Sequence, residues 1–234
     1  MAEWPGADRR DPTIASPTWP VREPLARWLR EEAARCRPGV RILDVGCGVK
    51  PYYPFFEAVA AEYVGVDPVE NPAADLRGSV EELPVADGSF DVILCNQVLE
   101  HANDPAAAVR ELRRVTSPGG RVLASTHGVQ VYHPSPVDLW RWTHEGLERL
   151  FAANADWAAL SVRPGSGTAA CIGMLLGIYI DLATRRARVG PAGRAAVAAL
   201  NRGAAALDAR SARLREPGPG TLHANFHVVA EVAP

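Results

Sequence analysis

Apolar positions along the chain fall into short runs that alternate with helical stripes. Residues 40–45 form an apolar run that leads into glycines, and 63–66 form a second that ends at Asp67-Pro68. A short strand is expected at 76–80. Residues 90–95 are unbroken in their apolar character, as in a strand covered on both faces. Residues 121–125, 157–163 and 222–232 complete the predicted strands. Between them, Leu25, Trp28, Leu29, Ala33 and Cys36 step at helical spacing up to Pro38-Gly39. Further helices are predicted at 55–61, at 106–115 behind Pro105, and at 144–152. Strands alternating with helices predict an α/β protein with a doubly wound, mostly parallel sheet. Such sheets bind ligands beyond the carboxyl ends of their strands.

Two segments break this rhythm. Residues 1–24 are rich in proline, carry Trp4 and Trp19, and read as an irregular arm. Residues 165–216 read as a helical insertion. Within it, 169–182 is apolar all round, which predicts a helix covered by something else. Val197, Leu200, Ala204, Leu207, Ser211 and Leu214 then make one narrow stripe. Packing against the neighbouring helix is the favoured reading of that stripe, and a homodimer seam the sharper alternative. The helix 169–182 reads as a core or dimer helix, with a lid over a hydrophobic acceptor as its alternative. The apolar window is short for a membrane span and contains Asp181, so no integral membrane association is expected. The whole is read as a single domain over 1–234, with 1–38 as arm and first helix.

Composition narrows the function. With 47% hydrophobic and 22% charged residues over 234 positions, the chain can bury a core and remain well charged. A net charge of −2 lacks the basic surplus of most nucleic-acid binders, so no nucleic-acid partner is expected. Lys50 is the only lysine. Cys36, Cys47, Cys95 and Cys171 are too far apart for a CxxC pair, which predicts free thiols and no metal site. The polar start MAEWPGADRRDP has no apolar run of a signal peptide, so a cytoplasmic location is expected.

The chemistry-bearing residues cluster at strand ends. ILDVGCG (42–48) sets Asp44 at a strand end and Gly46 and Gly48 in the turn, where glycine lets backbone approach a ligand. Asp67, in VGVD, follows about 20 residues on, where an acid can accept both hydroxyls of a ribose. A turn-capping aspartate before proline is its alternative. Pro51 stands where a dinucleotide fingerprint needs Gly or Ala, so a nucleoside ligand without pyrophosphate fits better than NAD.

ILDVGCG, VGVD, VEELPVADGSFDVILCNQVLEH and ELRRVTSPGGRVLAST together resemble, in order and spacing, the motifs of class I S-adenosylmethionine (SAM) dependent methyltransferases of the type 11-like kind. The final HANFHVVAEV is similar more loosely. The resemblance implies a Rossmann-like, seven-stranded sheet with the last strand antiparallel, and SAM as cofactor. It implies that Asp44, Gly46, Cys47 and Gly48 surround the methionine part of SAM and that Asp67, with Pro68, binds the ribose. It implies that Ser79, Val80 and Glu81 flank the adenine, and that Asn96 and Gln97 close the site near the sulfonium.

Three departures stand out. The loop's third glycine is Lys50 here, and GVKPYYPFF instead resembles a subgroup with KPY at this place. Ser79 stands where many members have an adenine-accepting aspartate. VYHPSPVDLWRWT resembles a segment ending HDYWRFT, with its first histidine replaced by Val137.

Methyl transfer asks the protein mainly for alignment and exclusion of water. A base is needed only for a neutral acceptor, and histidine titrates in the useful range. His133 is the first candidate and His101 the second; His127 also follows a strand at the same edge. For His101 a backbone contact at a helix start is an equal alternative. Asp138, Trp140, Arg141 and Trp142 read either as a pocket wall or as anchors of their loop. Cys47 and Cys95 read as small residues in tight places rather than nucleophiles. The expected activity is methyl transfer to O, N or C of a small-molecule acceptor, a natural product or sugar derivative. The alternatives are a cyclase or isomerase on the same scaffold that binds SAM without methyl transfer, and a non-catalytic SAM-binding partner subunit.

Overall fold

The computed structural model describes residues 4–134 and 137–234. Seven strands form one sheet: β1 (Val40–Val45), β2 (Ala60–Asp67), β3 (Leu76–Arg77), β4 (Phe90–Asn96), β5 (Thr116–His127), β6 (Ala159–Pro164) and β7 (Asn225–Glu231). Their order is β3-β2-β1-β4-β5-β7-β6. The pairs from β3 to β5 are parallel, and β7 runs antiparallel to both β5 and β6. This is the doubly wound sheet that the alternation of strands and helices predicts, with the antiparallel last strand that the family resemblance implies.

Period-two alternation divides the core between the faces. Ile42, Val92, Leu94 and Leu123 face α2 (Trp19–Ala34) and α3 (Tyr53–Phe56), packing on Leu25, Leu29 and Phe56. Leu43, Ile93, Cys95 and Val122 face the other way, onto α4 (Pro105–Val115) and α5 (His144–Asn154), where Leu112, Leu147 and Phe151 are fully buried. Asp104 starts α4 by accepting from the amides of Ala106 (2.9 Å) and Ala107 (3.0 Å), with Pro105 in the first turn.

Several boundaries differ from the sequence reading. The arm is partly helical: α1 spans Ala7–Arg10 and α2 begins at Trp19. Pro20 sits in the first turn of α2, where its missing N–H costs no helix bond, so proline there starts a helix rather than marking a loop. The helix predicted at 55–61 is the single turn Tyr53–Phe56, because β2 already begins at Ala60 and pairs with Val40. The third strand shrinks to Leu76–Arg77, followed by an isolated bridge between Ser79 and Glu82.

The insertion forms a helical hairpin, α6 (Thr168–Arg186) and α7 (Gly190–Arg210), with a short α8 (Ala212–Arg215). It is antiparallel, since Gly173 lies against Ala204 and Gly193 against Thr184. Val197 and Ala204 are buried, in keeping with packing against the neighbouring helix, whereas Leu207 is 55% exposed. The inner face of α6 is covered, Cys171 and Met174 packing on Val21 and Ala224. Its outer face is not: Ile172, Leu176 and Tyr179 are exposed, which corrects the expectation of a helix covered all round. By length and composition alone α6 is apolar enough to cross a membrane.

Asp208, buried near the end of α7, accepts from the amides of Ala169 (3.0 Å) and Ala170 (2.9 Å) and so caps α6 from across the hairpin. Asp208→Ala leaves both donors without a partner and should destabilise the fold by about 1–3 kcal/mol. Urea unfolding checks this: the midpoint should drop, and an unchanged midpoint would remove Asp208 from the cap.

Candidate functional site

The carboxyl ends of β3, β2, β1 and β4 lie side by side, and the polar residues of the motifs collect there. Register places Val45 beside both Val66 and Cys95, so the turns after β1, β2 and β4 start at one level. At the first turn, Gly46 has φ +66°, and a Cβ there would stand 2.4 Å from Cγ2 of Val98. The turn therefore requires glycine for both conformation and space. Lys50, in place of the third glycine, keeps a left-handed backbone at φ +51°. Its side chain crosses Gly65 and its Nζ meets Asp75 at 2.5 Å, an anchor glycine would not provide.

Asp44 is buried and accepts from the Tyr63 hydroxyl at 2.7 Å. Burial pushes its carboxyl up to about 7, against the opposing effects of Tyr63 and Lys50. Asp67 accepts from the Gly48 amide (3.0 Å) and Asn71 Nδ2 (3.3 Å) through Oδ2, and from the Val69 amide (3.2 Å) through Oδ1. The turn-capping contact is thus present, but Oδ1 has one donor for two lone pairs and can still accept from a ligand hydroxyl. Pro68 is exposed beside it. Ser79 and Glu81 interact, Oγ to Oε2 at 3.2 Å, while Oε1 of Glu81 accepts from the Asp104 amide at 2.8 Å. Val80 is buried between them. Burial pushes the Cys47 thiol up to about 12, which fits a packing residue rather than a nucleophile.

At the end of β4 the two amides differ. Both polar atoms of the Asn96 side chain are buried without a partner. Gln97 (φ +59°) spends its Nε2 on Ser125 Oγ (3.1 Å) and Asn225 Oδ1 (3.0 Å). Buried amides are rarely left unpaired, and Asn96 keeps both its donor and its acceptor free. This orphan, the buried Asp44 carboxyl and the glycine-only turn fit the methionine and sulfonium part of SAM.

The histidines lie next along this edge. His101, in a single turn of 3-10 helix, contacts the Val137 carbonyl through Nδ1, as its backbone-contact alternative supposes. Its ring centroid is 6.3 Å from that of His133, which is exposed. Beneath them, His127 Nδ1 and Glu100 Oε1 are 3.4 Å apart, both buried and otherwise unpaired. Burial pushes Glu100 up to about 7 and His127 down to about 4, the latter helped by Arg141 and the neighbouring His101 and His133. Thr126 donates to the other Glu100 oxygen at 2.8 Å. The Glu100 carbonyl accepts from the Leu139 and Trp140 amides, and Trp140 Nε1 donates to Ala102 O at 2.7 Å. Arg141 bridges Asp138 and the Val131 carbonyl. These contacts make 137–142 an anchored strap beside the site. The resembled segment also includes residues 135 and 136, which lie outside the described residues.

The sequence reading missed the arm's part. Arg10 is buried and donates to the carbonyls of Trp4, Pro5 and Pro51, while Trp4 Nε1 donates to Lys50 O at 2.9 Å. The arm therefore closes over the turn that carries Gly48. Two adjacent arginines in a proline-rich arm gave no periodic signal for this. Among the described residues, no group of three His, Cys, Asp or Glu is arranged to hold a metal ion.

Sheet order, strand-end acids and a glycine turn define an α/β protein built to hold a nucleoside-type cofactor. A family model described as a methyltransferase domain matches residues 20–155. The chain belongs to this family, the class I SAM-dependent methyltransferases. It is 41% identical over 102 residues to a malonyl-[acyl-carrier protein] O-methyltransferase of Erwinia pyrifoliae, covering 38% of this chain and 39% of that one. It is 32% identical over 117 residues to a ubiquinone biosynthesis O-methyltransferase of Pseudomonas aeruginosa, covering 42% and 48%. The chain thus spans less than half the length of these curated relatives. Phosphoethanolamine N-methyltransferase 2 of Haemonchus contortus, solved with S-adenosyl-L-methionine, shares the fold at a TM-score of 0.56 and 14% identity, covering all of this chain and 60% of that one.

Two predictions follow from the acids. Asp67→Ala should weaken SAM binding by about 1–3 kcal/mol in calorimetry, the usual cost of removing a charged acceptor; unchanged affinity in the folded variant would reject its ribose role. If Asp44 meets the ammonium of SAM, it does so ionised, and burial pushes its carboxyl up to about 7. Affinity should therefore fall as pH drops below that value, by up to about tenfold per unit. Asp44→Asn should abolish the slope; a slope that persists would assign it to another group.

Proposed function

We propose that this chain transfers the methyl group of SAM to oxygen, nitrogen or carbon of a small-molecule acceptor, a natural product or sugar-derived compound. The observation that carries the reading is the convergence of Asp44, Asp67 and the unpaired Asn96 at one sheet edge, with His101 and His133 beside them. SAM, when bound, supplies a methyl group already activated on a sulfonium. Asp44 and the Gly46–Cys47–Gly48 turn would hold its methionine part. Asp67 and Pro68 would hold the ribose, and Ser79, Val80 and Glu81 the adenine. Asn96 has free donors and an acceptor for the end nearest the sulfonium, and Gln97, committed to Ser125 and Asn225, would fix its backbone. The acceptor would enter over the strap 137–142.

His133 is the base in this reading when the acceptor is a neutral hydroxyl or amine, taking the acceptor proton as the new bond to methyl forms. It is exposed, and its ring makes no hydrogen bond among the described residues. His101, with Nδ1 on the Val137 carbonyl, is the second choice through its other nitrogen. The Glu100–His127 pair would hold the floor beneath both.

The test is an acceptor panel of phenols, carboxylic acids, amines and sugar hydroxyls, read by release of S-adenosylhomocysteine. SAM and S-adenosylhomocysteine should bind and NAD should not. His133→Ala should lower turnover by about 10²- to 10⁴-fold with SAM affinity within a factor of a few. Converted acceptor without S-adenosylhomocysteine would support the cyclase or isomerase alternative. SAM binding without conversion of any acceptor would support a non-catalytic subunit. NAD binding without SAM binding would overturn the cofactor assignment.

A further inference from the structure

The outer face of the α6–α7 hairpin carries an open apolar stripe. Ile172, Leu176 and Tyr179 step along α6 at i, i+4 and i+7, and Leu207 lies across the groove on α7. All four are exposed, Leu176 by 52% and Tyr179 by 64%. Gly173 and Gly203 form part of the groove between the helices. Contiguous exposed apolar surface of this kind marks an interaction site.

Charge identifies what it meets. Residues 165–216 contain eight arginines and three acids, whereas the remainder of the chain holds 17 basic and 24 acidic residues. All eight arginines are exposed. Of the acids, Asp181 is held by Arg185 at 2.8 Å and Asp208 is buried in its capping role, which leaves Glu216. Arg186 closes the stripe at one end of the hairpin and Arg210 at the other. Pairing two copies of this chain along the stripe, in either orientation, sets arginine against arginine with few acids to offset the repulsion. An anionic surface reverses the sign of that interaction. It also accepts apolar side chains between its head groups, while the arginine stems lie along the apolar boundary and their guanidinium groups reach the phosphates.

We infer that the exposed face of α6–α7 docks this chain peripherally on an anionic lipid surface. The helices lie in the plane of the surface, Ile172, Leu176, Tyr179 and Leu207 enter the boundary region, and the arginines meet lipid phosphates. The inner face of α6 packs through Met174 near Val129 and Gln130, which follow β5, so docking brings the strap side of the sheet edge near the lipid.

Vesicle co-sedimentation tests this without any methyl-transfer readout, so its failure is distinct from failure of the proposed activity. Vesicles of phosphatidylcholine with about 25% phosphatidylglycerol should bind the full chain. Phosphatidylcholine alone should bind it at least about tenfold less, as should the mixed vesicles in about 0.5 M salt. Leu176→Glu with Tyr179→Glu should abolish binding, and Arg186→Glu with Arg210→Glu should weaken it at least about tenfold. These residues are exposed, and circular dichroism and a thermal melt verify that each variant folds. Absence of binding to the mixed vesicles overturns the inference, and so does binding that the stripe variant leaves unchanged. A concentration-dependent dimer in sedimentation, lost in Leu176→Glu/Tyr179→Glu and unaccompanied by vesicle binding, overturns it in favour of a second copy.

Discussion

Burial of the parallel strands on both faces is the constraint on which the molecule depends. With α2 and α3 on one side and α4 and α5 on the other, β1 from Ile42 onward and β4 from Val92 to Cys95 have no wet face. Every interior position must be apolar or internally paired, and polar chemistry is confined to the strand ends. The level register of β2, β1 and β4 makes those ends neighbours, and Asp44, Asp67 and Asn96 thereby converge from three separate strands.

The same burial that expels charge from the sheet tunes the groups left at its rim. Asp44 and Glu100 are carboxyls in low-dielectric surroundings, and both rise to about 7. They differ in company. Asp44 faces a hydroxyl and lies near Lys50, so a cationic ligand readily draws it into the ionised form. Glu100 faces an imidazole that burial holds neutral, and its backbone fastens Leu139 and Trp140. One acid stands at the glycine turn, open to a ligand's charge, and the other holds the shape of the site.

Much of this was legible in the sequence because it rests on local rules. The strand-end acids, the glycine turn and the alternation of Ile42 with Leu43 need no knowledge of distant contacts. What stayed hidden depends on long-range pairing. Pro20 looked like a loop marker because its place in a first turn is set by the helix that follows. Glu100 gave no signal, since its partner His127 is a strand away. The outer face of α6 was expected to be covered, because an apolar sequence does not say which of its faces finds a neighbour.

The N-terminal arm joins regions that are otherwise separate. Asn201 of α7 donates to the carbonyls of Ile14 and Ser16, at 2.8 and 2.9 Å, while Arg10 of the same arm grips the Pro51 carbonyl. A segment tethered at one end to the hairpin and at the other to the glycine turn acts as a shared strut. The arm thus ties the glycine turn and α7 together without passing through the sheet, and loss of either set of contacts would leave the other end unbraced.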